Sequence, residues 1–293
     1  MPEITETPQM ELWLADVRKH VLKCAPDMLA ILEVYEGEAR FGRRYIAADL
    51  ARLTKGASVL EVGAGSLLLS CQLVREGFKV VALEPVGDGF SHFEHLRELI
   101  LERAESLGCV PQMHNQYAEE LSIKSRFDFA FSINVMEHVS DVKTVIANIG
   151  ASLRPSASYH FTCPNYMFPY EPHFNIPTFF SKKITGKIFK NKILRGNSLP
   201  DPIGTWKSLN WITVWQISKI VNRLPELKIV FNRLFFVSTL ERIGSDKNFA
   251  LRRSKGVRAL ILVLVKLRVH HLARFIPTPL QPIIDCTLTR RES

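Results

Sequence analysis

From Ser58 onward the apolar residues fall into short runs separated by longer stretches with helical spacing. Ser58–Val62, Lys79–Leu83 and Phe127–Ile133 are dense in Val, Leu, Phe and Ile, and each predicts a buried strand. Between them, Leu67–Glu76 closed by Gly77, Phe90–Ser106, and Val142–Leu153 ended by Arg154-Pro155 predict helices. A short strand near Val110–Met113 and another at Tyr159–Thr162 would bring the number of strands to five. Strands alternating with helices at this spacing predict a parallel sheet covered on both faces. Ahead of it, Trp13, Leu14, Val17 and Val21 share one helical face, and Met28, Leu29, Leu32 and Tyr35 share another.

Cys163 to about Leu209 interrupts the alternation with prolines and aromatics, and reads as an insertion over the carboxyl edge of the sheet. Ile212–Leu224 and Leu227–Phe236 predict a returning helix and strand. The expected division is therefore a helical cap at residues 1–50, a core at 51–165 and a lid insertion at 166–211. The end of the core follows at 212–240, and a basic helical tail at 241–293. No internal repeat is present.

Charge sharpens this division. The chain carries a formal +9, yet Lys182–Arg195 holds six basic residues and no acid, and Lys247 to the end holds ten against Asp285 and Glu292. The remainder is net acidic, so the basicity belongs to attachments and not to the body. Nucleic acid is not expected as a partner, because no recognisable binding module accompanies the basic clusters. Five cysteines, odd in number and without Cys-x-x-Cys spacing, argue against structural zinc or a disulfide framework and fit a reducing cytoplasm. The start of the chain lacks an apolar signal core, and the run Ala259–Val265 is far short of the roughly 20 residues of a spanning helix.

The strongest chemical signal is Val59-Leu60-Glu61-Val62-Gly63-Ala64-Gly65-Ser66, an apolar strand running into a Gly-x-Gly turn and a helix. Glycines let the backbone turn sharply and approach a ligand closely. Glu61 at the strand end suits an ammonium and repels a pyrophosphate. Leu68 stands where a dinucleotide fingerprint requires its third glycine. Glu84 ends the second strand 21 residues after Gly63, close to the offset at which an acid receives ribose hydroxyls.

Together with Leu83-Glu84-Pro85, Phe127-Asp128-Phe129-Ala130 and Met136-Glu137-His138-Val139, this segment resembles class I S-adenosylmethionine-dependent methyltransferases. The similarity is greatest to the bacterial group acting on small molecules, quinones and glycans, and it spans roughly Tyr45 to Asn165. The resemblance implies a doubly wound, Rossmann-like α/β sheet with S-adenosylmethionine as cofactor. It implies that Glu61, Gly63, Ala64 and Gly65 hold the methionyl end, that Glu84 followed by Pro85 takes the ribose, and that Ala118 and Glu119 flank the adenine. Asn134 would close the pocket. Tyr117 departs from the pattern, since many relatives carry Asp there.

Methyl transfer from a sulfonium is mainly a matter of alignment, and a base is required only when the acceptor loses a proton. His138, just after the fourth strand, is the leading candidate; the competing structural role is to start a helix and hold a loop. Within the insertion, Tyr166, Tyr170, Glu171 and His173 are further candidates. A Glu-x-x-Glu-His metal run is not present, because Asn134 replaces the first Glu, so no metal is expected. Cys163-Pro164-Asn165-Tyr166 follows the fifth strand and not the fourth, which excludes a likeness to amino-group methylation of DNA bases. The expected activity is methylation, at oxygen, of a small-molecule or glycan-like acceptor. The alternatives are a quinone or lipid-linked acceptor at the membrane face, and a non-catalytic cofactor-binding protein. Val257–Phe275 alternates apolar residues with Arg, Lys and His, a pattern that suits an anionic membrane surface or, more blandly, a docked helix with solvated charges.

Overall fold

The computed structural model of the chain describes residues 8–85, 94–179, 181–195, 201–246, 249–250 and 255–292. The strands in chain order are β1 Ser58–Val62, β2 Lys79–Leu83, β3 Gln112–His114, β4 Phe127–Ile133, β5 Leu153–Pro164, β6 Tyr170–Glu171, β7 Ile176–Pro177, β8 Leu227–Phe231 and β9 Ile283–Arg290. The main sheet has seven strands in the order β3-β2-β1-β4-β5-β9-β8. β1 runs parallel to β2 and β4, and β2 parallel to β3, whereas β8 and β9 are antiparallel. The sheet is thus mixed, and the expectation of an all-parallel sheet is corrected at this edge.

The chain divides into two compact units, the first comprising Met1–Ile133, Asn148–Tyr159 and Glu292–Ser293, the second Asn134–Ala147 and His160–Arg291. In the first unit the chain passes from β1 to β2 to β3 and then returns to the other side of β1 as β4. That reversal is a topological switch point, beside which open α/β sheets bind ligands at the carboxyl ends of their strands. Val62 pairs with Ser132 and with Leu83, so the turns after β1, β2 and β4 leave the sheet at one edge.

Four of the five residues of β1 and of β2 are buried, as expected of strands covered on both faces. Helices α1 Pro8–Cys24, α2 Leu29–Tyr45, α3 Ala47–Leu50, α4 Leu68–Arg75 and α5 Glu94–Ser106 accompany these strands. Trp13, Val17 and Leu32 of the first two helices lie in one core cluster with Val59, Leu68, Leu96, Phe129 and Phe131. Trp13 is fully buried, and its indole N–H donates to the Leu68 carbonyl at 3.0 Å. Loss of this side chain would cost about 3–5 kcal/mol. The amino-terminal helices therefore hold the start of α4, immediately behind the glycine turn. Of the helix predicted over Phe90–Ser106, residues 90–93 lie outside the described residues.

The second unit contains α7 Lys182–Ile188, α8 Lys190–Leu194, α9 Pro202–Ser208, α10 Val214–Val221, α11 Phe235–Ser245 and α12 Lys255–Lys266; α6 Val142–Ser152 is divided between the units. Val214, Ile217 and Val221 are buried on one stripe of α10, whose first turn is capped by the Thr213 hydroxyl. β6 and β7 form a short antiparallel hairpin within the predicted insertion. Two expectations change here. The fifth strand begins at Leu153, directly after α6, and absorbs Arg154-Pro155. The tail is not helical throughout, because Ile283–Arg290 is strand β9 of the main sheet. Among the described residues no helix is long and apolar enough to cross a membrane.

Candidate active site

The Gly63–Gly65 turn is shaped by backbone conformation. Gly63 and Gly65 have φ of +75° and +50°, a region that side-chain-bearing residues rarely adopt. The Gly63 and Ala64 amides both donate to the Leu83 carbonyl, at 2.8 and 3.4 Å, which fixes the turn against the end of β2. A Cβ on Gly65 would point into open space, so the turn presents backbone to a ligand on that side. Leu67, fully buried at φ +67°, then redirects the chain into α4.

Two buried acids flank this turn. Glu84, next to partly buried Pro85, accepts the Gly65 amide on Oε2 at 2.9 Å. Burial raises its pKa, against the lowering effects of that hydrogen bond and of Arg97. Glu61 accepts from the Ser70 hydroxyl, a short contact within the same unit. Burial pushes its pKa up to about 8, with a lowering effect from Ser70 and a further upward push from the charge of Glu84. Among the described residues Arg97 acts on Glu84, and no cation is among the influences on Glu61. Two carboxylates held in low dielectric at a strand-end turn are expensive unless a positive group joins them. The ammonium and sulfonium of S-adenosylmethionine are such groups, and the residues present fit that cofactor.

Ala118 and Glu119 lie in a single 3₁₀ turn, Ala118–Glu120, whose backbone is pinned by Asn148. The Asn148 amide donates to the carbonyls of Ala118 at 3.3 Å and Glu119 at 2.6 Å. Tyr117 is 56% exposed. Its backbone N–H donates to the Glu120 carboxylate, which orders the turn without using the phenol.

In the second unit, Asn134 is exposed, with φ +55°, and its amide donates to the Thr162 carbonyl of β5. The turn that follows is clamped by Asn210. Its side-chain amide donates to the carbonyls of Met136 at 2.7 Å and Val139 at 2.8 Å, and its backbone N–H donates to that of Glu137. The clamp sets Glu137 inward, fully buried, with both carboxylate oxygens lacking a hydrogen-bond partner among the described residues. Burial raises the Glu137 pKa to about 7, lowered in part by His173 and its own backbone N–H, and raised by Glu171.

His138 and His173 meet here, their rings 5.4 Å apart and edge-on. Burial, followed by the charges of His173 and Lys182, holds His138 down to about 3, so its imidazole is neutral. Its Nδ1 contacts the Ser208 hydroxyl at 2.7 Å, and that hydroxyl donates onward to the Thr205 carbonyl. Nδ1 is therefore the donor, and Nε2 carries the lone pair. Buried Glu171 accepts a hydrogen bond from His173 Nδ1 at 2.6 Å and also accepts from the His173 and Phe174 amides and the Tyr166 hydroxyl.

A family model described as a methyltransferase domain matches residues 38–220, well over half of the chain. The chain belongs to the methyltransferase-domain family. Within that family it is 47% identical over 282 residues to an uncharacterized protein of Mycobacterium tuberculosis, covering 96% of this chain and 95% of that one. A ubiquinone biosynthesis O-methyltransferase of Paramagnetospirillum magneticum is 32% identical over 125 residues, covering 41% of this chain and 47% of that protein.

Among solved structures, an S-adenosylmethionine-dependent methyltransferase of Mesorhizobium loti matches with a TM-score of 0.50 at 14% identity, covering 83% of this chain and 96% of that one. Phosphoethanolamine N-methyltransferase 2 of Haemonchus contortus, in complex with S-adenosyl-L-methionine, also gives 0.50 at 14% identity. It is covered over 52% of its length, so the chain spans about half of that protein, against 86% of its own. These likenesses establish the shared fold.

In this methyltransferase-domain chain, the sequence picked out the glycine turn, both flanking acids and the two histidines. It did not indicate Asn210 or Ser208, whose roles arise from contacts across about 70 residues, nor Asn148. An Asn or Ser that satisfies a distant backbone has no local pattern to betray it.

Proposed function

We propose that this chain transfers the methyl group of S-adenosylmethionine to a hydroxyl oxygen of a small-molecule or glycan-like acceptor. The observation that carries this is the pair Glu61 and Glu84, buried on either side of a glycine turn at the carboxyl edge of β1 and β2. When bound, S-adenosylmethionine supplies an activated methyl on a positively charged sulfur. Glu61, Gly63, Ala64 and Gly65 would hold its methionyl end, Glu84 with Pro85 its ribose, and Ala118 and Glu119 its adenine. Glu61 supplies the negative potential that an ammonium requires, and Glu84, oriented by Gly65, offers an acceptor to a diol.

For the acceptor, His138 is the group we assign to its hydroxyl. The imidazole is neutral, and Nε2 presents a lone pair for an O–H hydrogen bond. Glu137 beside it binds a proton near neutrality, which suits general-base work at ordinary pH. His173 stands beside it, with Nδ1 fixed by Glu171. The ubiquinone-pathway relative, an O-methyltransferase by name, supports oxygen as the acceptor atom. A purely cofactor-binding role would leave this arrangement without a use. The test is to incubate the protein with methyl-labelled cofactor and the small-molecule extract of a strain lacking the gene. One compound gaining one methyl supports the proposal; cofactor binding with no turnover on any fraction rejects it.

A second possibility, an acceptor presented at an anionic membrane surface, is favoured by two features. A cavity of about 590 Å³ beside α7, α8 and α9 is lined by five lysines, Lys182 to Lys207, over an apolar floor of Ile193, Leu194 and Trp206. Along α12 and the segment after it, Leu260, Val263, Leu267, Leu272 and Phe275 are all exposed, interleaved with Arg258, Lys266, Arg268 and Arg274. Sedimentation with anionic but not neutral vesicles, weakening with salt, would support this; equal partitioning onto both would reject it.

A further inference from the structure

The cluster Glu137–His138–His173 brings one ligand atom from each residue to within 4.8 Å of the others. We propose that these three side chains bind one divalent transition-metal cation of the zinc type. Two imidazoles and one carboxylate, with a remaining position open, is the donor set of catalytic zinc sites. On a tetrahedral zinc with bonds of about 2.1 Å, neighbouring donors lie about 3.4 Å apart, so small side-chain rotations close the set.

The independent observation is Glu137 itself. Its side chain is fully buried, and neither oxygen has a hydrogen-bond partner among the described residues. A protonated Glu137 would still leave an O–H without an acceptor, whereas a cation satisfies the carboxylate directly. Both histidines are also oriented as metal ligands usually are, with the ring nitrogen away from the metal tied to a fixed group. For His173 that group is the Glu171 carboxylate, and for His138 the Ser208 hydroxyl. Lys182, whose charge acts on His138, is engaged by the carbonyls of Lys207 and Leu209 at 2.9 and 2.6 Å.

Asn134 stands where a Glu-x-x-Glu-His run would carry its first ligand. The structure supplies a third ligand from His173, 35 residues beyond His138. A second grouping, Glu241, His270 and His271, has no comparable buried, unpartnered group: Glu241 and His271 are exposed, and Glu241 accepts from His270.

This deepens the acceptor-side proposal and rests on it only for what the cation does: with the cation bound, the His138 lone pair and the Glu137 carboxylate serve as its ligands, and the acceptor hydroxyl they would otherwise meet takes the open position, where the cation lowers its pKa. The test is equilibrium dialysis of the metal-free full chain against Zn2+, with bound metal counted per chain. S-adenosylmethionine binding and circular dichroism serve as folding controls. One Zn2+ per chain is expected, with affinity falling at least about tenfold in His173→Ala and unchanged in His271→Ala. Should His173→Ala misfold, Glu137→Gln carries the same expectation. No stoichiometric zinc in the wild type, wild-type affinity in a folded His173 or Glu137 variant, or loss confined to His271→Ala would each overturn the site. Zinc binding without methyl transfer rejects the acceptor proposal alone, and methyl transfer without zinc uptake rejects the metal site alone.

Discussion

Glu171 holds His173 from below: its Oε1 lies 2.6 Å from the ring Nδ1 and 3.1 Å from the same residue's backbone N–H. The same fully buried side chain also accepts from the Phe174 amide and the Tyr166 hydroxyl, so several donors depend on its two oxygens. Glu171→Gln would turn an N–H toward those donors. The expected result is a loss of about 1–3 kcal/mol in urea unfolding, with cofactor affinity retained. An unchanged midpoint would show that the ring is held by other contacts.

His138→Ala removes the neutral partner of the acceptor O–H and should lower turnover about tenfold on a hydroxyl acceptor while leaving cofactor affinity near that of the wild type. Because burial already holds the imidazole down to about 3, the pH–rate profile of the wild type should show no His138 inflection near pH 6.5. Equal turnover in the two proteins would leave His138 as a residue that only holds its loop.

Asn210→Ala removes two donors from the carbonyls of Met136 and Val139 and frees the turn that carries Glu137. A stability loss of about 1–3 kcal/mol is expected. Turnover should fall with it while cofactor affinity stays within about twofold, since the Asn210 side chain donates to the Met136 and Val139 carbonyls and not to the glycine turn. A variant as active and as stable as the wild type would contradict the clamp.

The sequence carried the first unit almost residue by residue, because β1, β2 and β4 are apolar runs bounded by glycines and acids, and local pattern suffices for buried parallel strands. It failed at β9. That strand carries Asp285 at its centre, buried and hydrogen-bonded by His160 at 2.9 Å and Asn232 at 2.8 Å. A charge inside a strand reads as surface until its distant partners are known, and the neighbouring basic residues suggested a solvated helix. The same limit hid the meeting of His138 with His173. Each was visible as a chemical group, but their approach depends on the fold of the insertion.

Glu61 links cofactor binding to pH. Its pKa is raised to about 8 by burial, so below that pH the carboxyl is mostly protonated in the free protein. Binding a cation favours the ionised form and must expel the proton. Affinity should therefore rise with pH up to about 8 and level off above it. Near pH 7, calorimetry in buffers of different ionisation enthalpy should report release of about one proton per site, and Glu61→Gln should abolish that release. The same sign applies to the free protein: this group favours the fold at low pH, and its contribution is lost as pH rises through 8. Proton uptake on binding would contradict the assignment.

The most direct test is calorimetric titration of S-adenosylmethionine into the full chain and into Glu84→Ala. The Gly65 amide orients Glu84, and the acid's assigned task is to receive the ribose diol. The wild type should bind one equivalent, and the folded variant should bind more weakly by about 1.5–3 kcal/mol, the range for hydrogen bonds to a charged group. No binding by the wild type, or equal affinity in the two proteins, would contradict the account.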